Sequence, residues 1–416
     1  MAEHYPIRPI RVAEFDALHA VGEHAFHDAA PTPHRRAEML DRFELDRSLA
    51  AFDGPAPVGS AGAWSFELCV PGALTAAAGV TWVSVLPTHR RRGILASLMR
   101  HQLDDIHDRG EPIAVLWASE AGIYSRYGYG RASWHATFTL GHGEGALMPG
   151  APRDPRLRLR IAEPEAALAE LAKVYDSVLP GQPGLFARTG SWWTRVIDDP
   201  EEERHGASPL RCVLAEDDAG PRGYALYAGQ SRWDAETFLP DSRLEVQELV
   251  AADPAATTAL WSDLLSRDLV SEVSARLRPA DDPLLQLLAD PRRARPQVSD
   301  GLWVRVIDVP AALSLRRYSC PVDVVIEVTD DTCPWNQGRW RLATSGAAPW
   351  AGHCQRTEDP ADVVLPAASL GAAYLGGTRL GSLARAGLAA EVRPGALAAL
   401  SAALSWEPAP WCPVIF

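Results

Sequence analysis

The sequence predicts an α/β protein with more than one domain. Strand-like and helix-like patterns alternate along the first 300 residues, which is typical of sheets covered by helices. A chain of 416 residues is longer than one hydrophobic core usually organises. Hydrophobic residues make up 47% and charged residues 22% of the chain, as in soluble globular proteins. We therefore expect two or three domains, each with its own core.

Changes in the pattern place the domain boundaries near residues 148 and 300. A stretch rich in proline, glycine and arginine at 148–160 is typical of a linker. From residue 301 onward the sequence changes to strands, followed by two helical stretches rich in alanine, leucine and glycine. The predicted domains are therefore residues 1–148, 149–300 and 301–416.

The first predicted domain is centred on a strand, a tight turn and an amphipathic helix. Residues 80–85 (VTWVSV) are β-branched or aromatic, and Pro87 breaks this strand. Apolar residues then recur at helical spacing from about Arg91 to a stop at Gly110. Another apolar strand is predicted at 113–118. The turn between the first strand and the helix is where we look first for a functional site.

The second predicted domain repeats this pattern in a diverged form. LEVQELVAA at 244–252 is strand-like, and Asp253 and Pro254 suit the start of the helix that follows. This copy has no arginine-glycine turn. We therefore expect no second phosphate site in it.

Composition argues against several classes of function. A net charge of −13 is unsuited to nucleic acids or anionic membranes, because phosphate-rich partners need a basic footprint. The N-terminus lacks the apolar run of a signal peptide, and no stretch approaches the length needed to span a bilayer. The six cysteines form no C-x-x-C pair and no metal-ligand pattern with histidine. We expect a cytoplasmic protein with free thiols and no metal.

The turn of the first domain, His89 to Leu95 (HRRRGIL), has the composition of an anion site. A glycine lets backbone N–H groups approach a ligand, and the N-terminus of the helix adds partial positive charge. Three arginines supply further charge of the kind that binds a pyrophosphate. A solvated basic turn is the alternative, since short motifs of this kind match freely.

A loop with three tyrosines follows the next strand. It reads ASEAGIYSRYGYG at 118–130. A tyrosine hydroxyl, with a pKa of about 10, can donate a proton to the thiolate that leaves a broken thioester. The alternative is an aromatic loop that packs against the edge of the sheet.

Taken together, these segments resemble a known family. The runs VSVLPTHRRRGILASLM and ASEAGIYSRYGYG, followed by YALY, GLWVRV and a chain-final phenylalanine, resemble the Eis (enhanced intracellular survival) family of GCN5-related N-acetyltransferases. The resemblance extends over most of the chain in order and rough spacing. It implies a catalytic acetyltransferase (GNAT) domain, a degenerate GNAT-like domain without coenzyme, and a C-terminal α/β domain similar to sterol carrier proteins.

The resemblance also implies the site residues. Tyr124 would be the general acid, and the C-terminal carboxylate on Phe416 would be the general base. Phe26 and Asp28 would line the amine pocket. The residues that would contact acetyl-CoA are Val83, Ser84 and Val85 on a splayed strand, Arg91, Arg92, Gly93, Ile94, Leu95 and Ala96 in the turn, and Ser119 with Glu120. A hydrophobic plug is the alternative role for Phe416, and a turn or helix cap is the alternative for Asp28.

The implied substrate is a small-molecule amine, of the aminoglycoside class or a related polyamine. Acidic residues are expected in such a pocket, but Ile415 stands at the penultimate position, where an acidic residue can occur. Two alternatives remain, a lysine or protein acetyltransferase and a non-catalytic protein that binds a ligand in its sterol-carrier-like domain. The resemblance further implies assembly into a homohexamer.

Overall fold

The computed structural model describes residues 5–416. These residues form two compact units. The first unit holds the chain up to Ser133 together with Leu302–Glu407 and Ile415–Phe416. The second unit holds Trp134–Gly301 and Pro408–Val414.

Helices and strands alternate through both units. Within residues 5–416, the α-helices in chain order are α1 Phe15–Phe26, α2 Pro33–Arg42, α3 Ile94–Asp108, α4 Ala121–Tyr124, α5 Leu168–Val178, α6 Gly190–Ile197, α7 Pro254–Leu265, α8 Leu284–Leu287, α9 Val309–Leu315, α10 Ala367–Tyr374, α11 Leu380–Arg385 and α12 Ala396–Leu404. The strands of the same range are β1 Ile7–Pro9, β2 Leu49–Asp53, β3 Ala56–Val70, β4 Ala73–Val85, β5 Ile113–Trp117, β6 Gly130–Arg131, β7 Trp134–Gly141, β8 Arg158–Ala162, β9 Arg211–Asp217, β10 Gly220–Gln230, β11 Ser242–Ala251, β12 Val270–Pro279, β13 Gln297–Asp300, β14 Leu302–Val306, β15 Arg317–Tyr318, β16 Asp323–Thr329, β17 Gly338–Ser345, β18 Trp350–Arg356, β19 Val363–Pro366 and β20 Ala390–Glu391.

The first unit is built on a seven-stranded sheet in the order β1-β2-β3-β4-β5-β14-β6. Strands β4 and β5 run parallel. Neighbouring side chains of β2 point to opposite faces, so that Ala51 packs in the core of α3 and Ala50 packs in the core of α1. Helix α3 buries Leu98 and Leu103 completely, which contributes about 1.5 to 3 kcal/mol per side chain. The two helices therefore cover opposite faces of this sheet.

A second sheet of the first unit has the order β15-β18-β17-β16-β19-β20. Its helix α10 packs directly on the edge of the first sheet through glycines. A Cβ atom on Gly130 would lie 1.8 Å from the carbonyl oxygen of Ala368, and one on Gly371 would lie 2.1 Å from that of Val304. Only glycine permits this approach of one backbone to another. The C-terminal third is therefore packed tightly against the first sheet.

The second unit has its own seven-stranded sheet, in the order β13-β7-β12-β11-β10-β9-β8. Helix α7 covers one face and buries Trp261 and Leu264 completely. The apolar C-terminal tail docks here, as the sequence predicted, with Trp411 and Cys412 buried. The backbone N–H of Trp411 donates to the carbonyl oxygen of Pro183 at 2.8 Å.

Two strands pair in sheets that a division at residues 148 and 300 does not predict. Strand β7 (134–141) pairs with β12 in the second unit, and β14 (302–306) pairs with β5 in the first. An apolar alternating pattern identifies a strand but not its partner, because pairing is a long-range choice. The predicted domain limits themselves stay predictions.

Three expectations concern the chain as a whole. Within residues 5–416, no helix combines the length and apolarity needed to cross a membrane. None of the six cysteines, which all lie within residues 5–416, forms a disulfide. The same range contains no group of three histidine, cysteine, aspartate or glutamate side chains arranged to hold a metal ion.

Candidate active site

Strand β4 separates from its parallel neighbour before it ends. Pairing with β5 stops at Val80, opposite Leu116, whereas β4 continues to Val85. Trp82 has a positive φ of 52°, and the register against β3 shifts at the same place, which is the pattern of a β-bulge. Residues 83–85, which the sequence analysis assigned to a splayed strand, therefore border a gap in the sheet.

The backbone of Val85 points an N–H group into this gap. The next N–H, that of Leu86, donates to the carbonyl oxygen of Val58 on the β3 side at 2.9 Å. Successive N–H groups of a strand point to opposite sides, so the N–H of Val85 faces away from β3. The Ser84 hydroxyl is buried against that of Ser60, 2.7 Å away. The strand thus offers backbone donors rather than side chains to a ligand in the gap.

Helix α3 begins at a turn that leaves its first N–H groups without a side-chain cap. Gly93 is the N-cap residue, and no side chain accepts a hydrogen bond there. The helix begins at Ile94 rather than near Arg91 as predicted, because Arg91 and Gly93 both have left-handed φ angles, of 64° and 83°, which an α-helix excludes. A Cβ atom on Gly93 would meet no heavy atom within 4 Å. The N–H groups of the first turn, which include those of Leu95 and Ala96, are thus accessible and could bind an anion.

Cationic side chains surround this turn. Arg91 and Arg92 are both exposed, and Arg92 donates to the Tyr5 hydroxyl at 2.9 Å. The His89 ring lies between Thr88 and Asp53, with contacts of 2.8 and 3.3 Å. The arginines are therefore placed to add charge to the helix N-terminus.

Tyr124 lies on α4, directly after β5, and its side chain is 5% exposed. Burial raises the pKa of Tyr124 above its ordinary value of 10, which outweighs the opposing effect of a hydrogen bond with the Ser119 side chain. Glu120 adds to the rise through its negative charge. Tyr124 consequently keeps its proton at neutral pH, as a general acid must.

A cavity of about 90 Å³ opens beside the bulge. It is lined by Leu18, His19, Gly22, Glu23, Phe26, Asp28, Ser60 and Trp82. The Glu23 carboxylate contacts the His19 ring at 2.9 Å, and the His19 ring meets Trp82 edge-on at 5.8 Å. Carboxylates beside aromatic rings suit a cationic amine.

The structure brings both predicted pocket residues, Phe26 and Asp28, to this cavity, but sequence reasoning missed most of its wall. Trp82 stands inside the predicted motif, yet only the bulge turns it toward the cavity. The sequence gives a weak indication for Glu23, because it follows His19 by four residues and would share a helix face with it. Ser60 has none, because it comes from a strand whose pairing the sequence does not reveal.

Phe416 docks on the first sheet through its ring. The ring meets Phe66 edge-on at 4.9 Å, and Phe66 in turn covers Gly79, where a Cβ atom would lie 2.1 Å from the phenyl ring. Trp64, two residues before Phe66 and therefore on the same face of β3, contacts Trp82 at 6.0 Å. Phe416 thus lies on the sheet face that carries the cavity, while Ile415 is 55% exposed.

The second unit repeats the splay but blocks the anion site. Its parallel pairing stops at Val246, although β11 continues to Ala251. The following helix α7 is capped by the Asp253 carboxylate, which accepts from the N–H groups of Ala255 and Ala256 at 2.9 and 3.1 Å. This carboxylate occupies the position at which α3 leaves its N–H groups free. The two helices that follow a splayed strand within residues 5–416 therefore differ, since the N-terminus of α3 is open and that of α7 is filled by its own chain.

Three domain models of known families match this chain. Models described as acetyltransferase (GNAT) domains match residues 6–132 and 184–306, and a sterol carrier protein domain matches residues 309–413. A protein of Mycobacterium bovis, N-acetyltransferase Eis, is 33% identical over 352 residues, which cover 82% of each chain. The chain belongs to the Eis family of N-acetyltransferases. The resemblance to the Eis family, the fold class and the acyltransferase activity class that we predicted from the sequence are thereby confirmed.

Other members of this family are similar along their whole length. An uncharacterized N-acetyltransferase of Streptomyces avermitilis is 44% identical over 408 residues, covering 98% of both chains. The crystal structure of Eis1 from Mycobacterium abscessus is 34% identical and covers 99% of this chain and 100% of that one, with a TM-score of 0.83. GNAT enzymes of this kind use acetyl-CoA, and the open N-terminus of α3 fits its phosphates.

Proposed function

We propose that this Eis-family chain transfers the acetyl group of acetyl-CoA directly to a primary amine of a cationic small molecule, of the aminoglycoside or polyamine class. The observation that carries the proposal is the free N-terminus of α3 in the same unit as the buried, protonated Tyr124. The capped N-terminus of α7 provides the contrast within one chain, since Asp253 fills the equivalent position.

The coenzyme would be held by backbone donors and by charge. The splayed residues Val83, Ser84 and Val85 would flank its pantetheine arm, and the turn from Arg91 to Ala96 would bind its pyrophosphate. Ser119 and Glu120 stand at the end of β5, across the gap. When bound, acetyl-CoA supplies a thioester carbonyl that an amine can attack. The N–H of Val85 would polarise that carbonyl.

Two groups of this chain would move the protons. The Phe416 carboxylate takes a proton from the substrate ammonium, and the neutral nitrogen then forms a bond to the carbonyl carbon as the carbon–sulfur bond breaks. Tyr124 gives its proton to the departing thiolate. Of the two protons that the ammonium loses, one leaves through Phe416 to solvent, and the other restores the Tyr124 hydroxyl.

The acceptor class is inferred from the charge of the cavity. Glu23 and Asp28 place two carboxylates at its wall, which favours a cation and offsets the apolar Ile415 at the penultimate position. The aromatic Trp82 adds a face on which an ammonium group is stabilised. We further propose the homohexamer implied by the family resemblance, which light scattering after size exclusion would test.

The first test is thiol release from acetyl-CoA with a panel of aminoglycosides, polyamines and lysine peptides, with the product mass recorded. An added acetyl mass on an aminoglycoside or polyamine is expected. Acetylation confined to lysine peptides would overturn the acceptor class. Binding of acetyl-CoA without turnover of any amine would favour the non-catalytic alternative.

Two variants test the proposed groups. Tyr124→Phe should lower kcat by about 10² to 10⁴, the usual contribution of a general acid, whereas Tyr127→Phe in the same loop is the matched control and should stay near the wild-type rate. One glycine appended after Phe416 moves the carboxylate and should lower kcat similarly. An unchanged rate in either variant would remove the substituted or displaced group from the mechanism.

The pH dependence gives a further check on Tyr124. Because the pKa of Tyr124 is raised, its acid form should persist, and kcat should not fall on account of this group until the pH exceeds 10.

A further inference from the structure

A buried ion pair lies under the turn that carries Tyr124. Arg305, on β14, is 0% exposed. Its Nη2 donates to both carboxylate oxygens of Asp330, at 2.8 and 2.6 Å. Asp330 follows β16 and belongs to the sterol-carrier-like part of the first unit. Both bonds come from one nitrogen, and this charge-assisted contact anchors one end of the guanidinium.

The other edge of this guanidinium faces the turn after Tyr124. A Cβ atom on Gly128 would lie 2.6 Å from Nη1 and 2.9 Å from Nε of Arg305. Gly128 has a φ of 80°, and the N–H of Tyr129 donates to the carbonyl oxygen of Tyr124 at 3.2 Å. The backbone turn after Tyr124 therefore packs directly against the guanidinium. A residue with a side chain does not fit at position 128 unless Arg305 moves.

The buried polar groups of this cluster are poorly satisfied. No hydrogen bond of ordinary geometry reaches Nε or Nη1 of Arg305 or the hydroxyl of Tyr129, and the Cys333 thiol is the weak partner beside the guanidinium. The Tyr129 ring lies 6.1 Å from that of Tyr124. A buried donor without an acceptor costs stability, and such groups in native proteins call for a functional explanation. Replacing a whole buried ion pair by well-packed apolar residues is often neutral or stabilising, so stability alone does not account for the Arg305–Asp330 pair.

The Asp330 end of the pair is held firmly. Its Oδ1 accepts from the backbone N–H groups of Thr332 and Cys333, at 3.2 and 2.9 Å. Its Oδ2 accepts from the Asn336 side chain at 3.2 Å. Trp335 in the same loop stacks on His107 of α3 at 4.1 Å. The loop at 330–336 is therefore a rigid base for Arg305.

We infer that Arg305 and Asp330 are positioning residues for Tyr124, through which the sterol-carrier-like domain holds the turn at 124–129 and places the hydroxyl that protonates the leaving thiolate. This inference rests on the acid role of Tyr124 in the proposed function. It gives the C-terminal domain a part in catalysis that does not require a lipid ligand.

The test compares one double variant in two backgrounds. Arg305→Met with Asp330→Asn removes both charges together, since a lone buried charge would disrupt the fold. In the otherwise wild-type chain, kcat should fall at least about tenfold, while KM for acetyl-CoA stays within about twofold because the turn at 91–96 is untouched. In the Tyr124→Phe background the same pair of changes should cause no further fall in kcat, as expected for residues that act through one group.

The outcomes separate this inference from the proposed function. If Tyr124→Phe lowers kcat and the double variant lowers it further by the same factor, the positioning role is wrong and the acid role stands. If Tyr124→Phe has wild-type kcat, both are overturned. Gly128→Ala should reproduce the kcat loss of the double variant and should not add to it.

A matched control comes from a second buried pair in the same unit. Arg47 donates to both carboxylate oxygens of Glu111, at 2.9 and 2.5 Å. Arg47→Met with Glu111→Gln should lower the melting temperature without the loss of kcat. An equal kcat loss in this control would show that the Arg305 effect is one of general stability. If the Arg305 double variant does not fold, Arg305→Lys keeps the charge but not the flat guanidinium, and should still lower kcat with an unchanged KM.

Discussion

Gly93→Asp should weaken coenzyme binding through its negative charge. The substitution would place a carboxylate at the free N-terminus of α3, as Asp253 does at α7. The space is open, because a Cβ atom at Gly93 meets no heavy atom within 4 Å. The φ of 83° strains any side chain by about 1 to 2 kcal/mol, but aspartate and asparagine share this cost. Gly93→Asn is therefore the matched control for shape and backbone.

The difference between these two variants measures the electrostatic effect. A carboxylate about 4 Å from a phosphate costs about 1 kcal/mol in water and about 4 kcal/mol near a protein surface. We take about 2 kcal/mol, which corresponds to a roughly 30-fold weaker Kd, since each 1.4 kcal/mol is tenfold. Isothermal titration with acetyl-CoA and the steady-state KM should both show this difference, and it should shrink at high salt. Equal affinities in Gly93→Asp and Gly93→Asn would refute the assignment of the helix N-terminus as the phosphate site.

Three other predictions follow from the rest of the chain. Asp253→Ala should destabilise the chain by about 0.5 to 2 kcal/mol through loss of the α7 cap, as measured by denaturant unfolding. KM for acetyl-CoA should be unchanged, and an altered KM would mean that the second unit takes part in coenzyme binding. Cys320 is partly exposed and the other five cysteines are buried, so a disulfide reagent at pH 8 should label one thiol rapidly, and Cys320→Ser should remove that phase. Rapid labelling of a second thiol would contradict the burial. Hydrogen bonds from the Arg295 side chain and the Gly141 N–H lower the pKa of Glu144 from 4.5 to about 2, so its stabilising effect is complete above pH 4.5 and is lost as the pH falls toward 2. Glu144→Gln should flatten the acid-unfolding curve in that window, and an unchanged curve would show that the carboxylate contributes nothing.

Short-range sequence patterns were sufficient to predict where the two candidate functional motifs lie in the fold. The HRRRGIL turn and the tyrosine loop at 118–130 lie where the sequence placed them, one before α3 and the other after β5. The same patterns predicted that Asp253 starts a helix, which its cap confirms. The roles of Tyr124 and Phe416 came from the family resemblance and stay proposals.

Other features depend on which segments meet, and these the tertiary structure decided. Trp82 lines the cavity beside α1 only because a bulge interrupts β4, and Ser60 joins that cavity through antiparallel pairing with β4. Arg305 is more than 170 residues from Gly128 in sequence, yet β14 brings its guanidinium under that glycine.

The sequence by itself determined the α/β class and the position of the arginine-glycine turn, because periodicity, turn residues and caps act over a few neighbouring positions. The family and the proposed acid came from the resemblance that these motifs carry. Only the tertiary structure decided which strands share a sheet, what lines the cavity beside α1 and what packs under the turn after Tyr124. Strand partners and buried ion pairs are chosen by long-range packing, whose energy depends on the whole set of contacts rather than on any one segment.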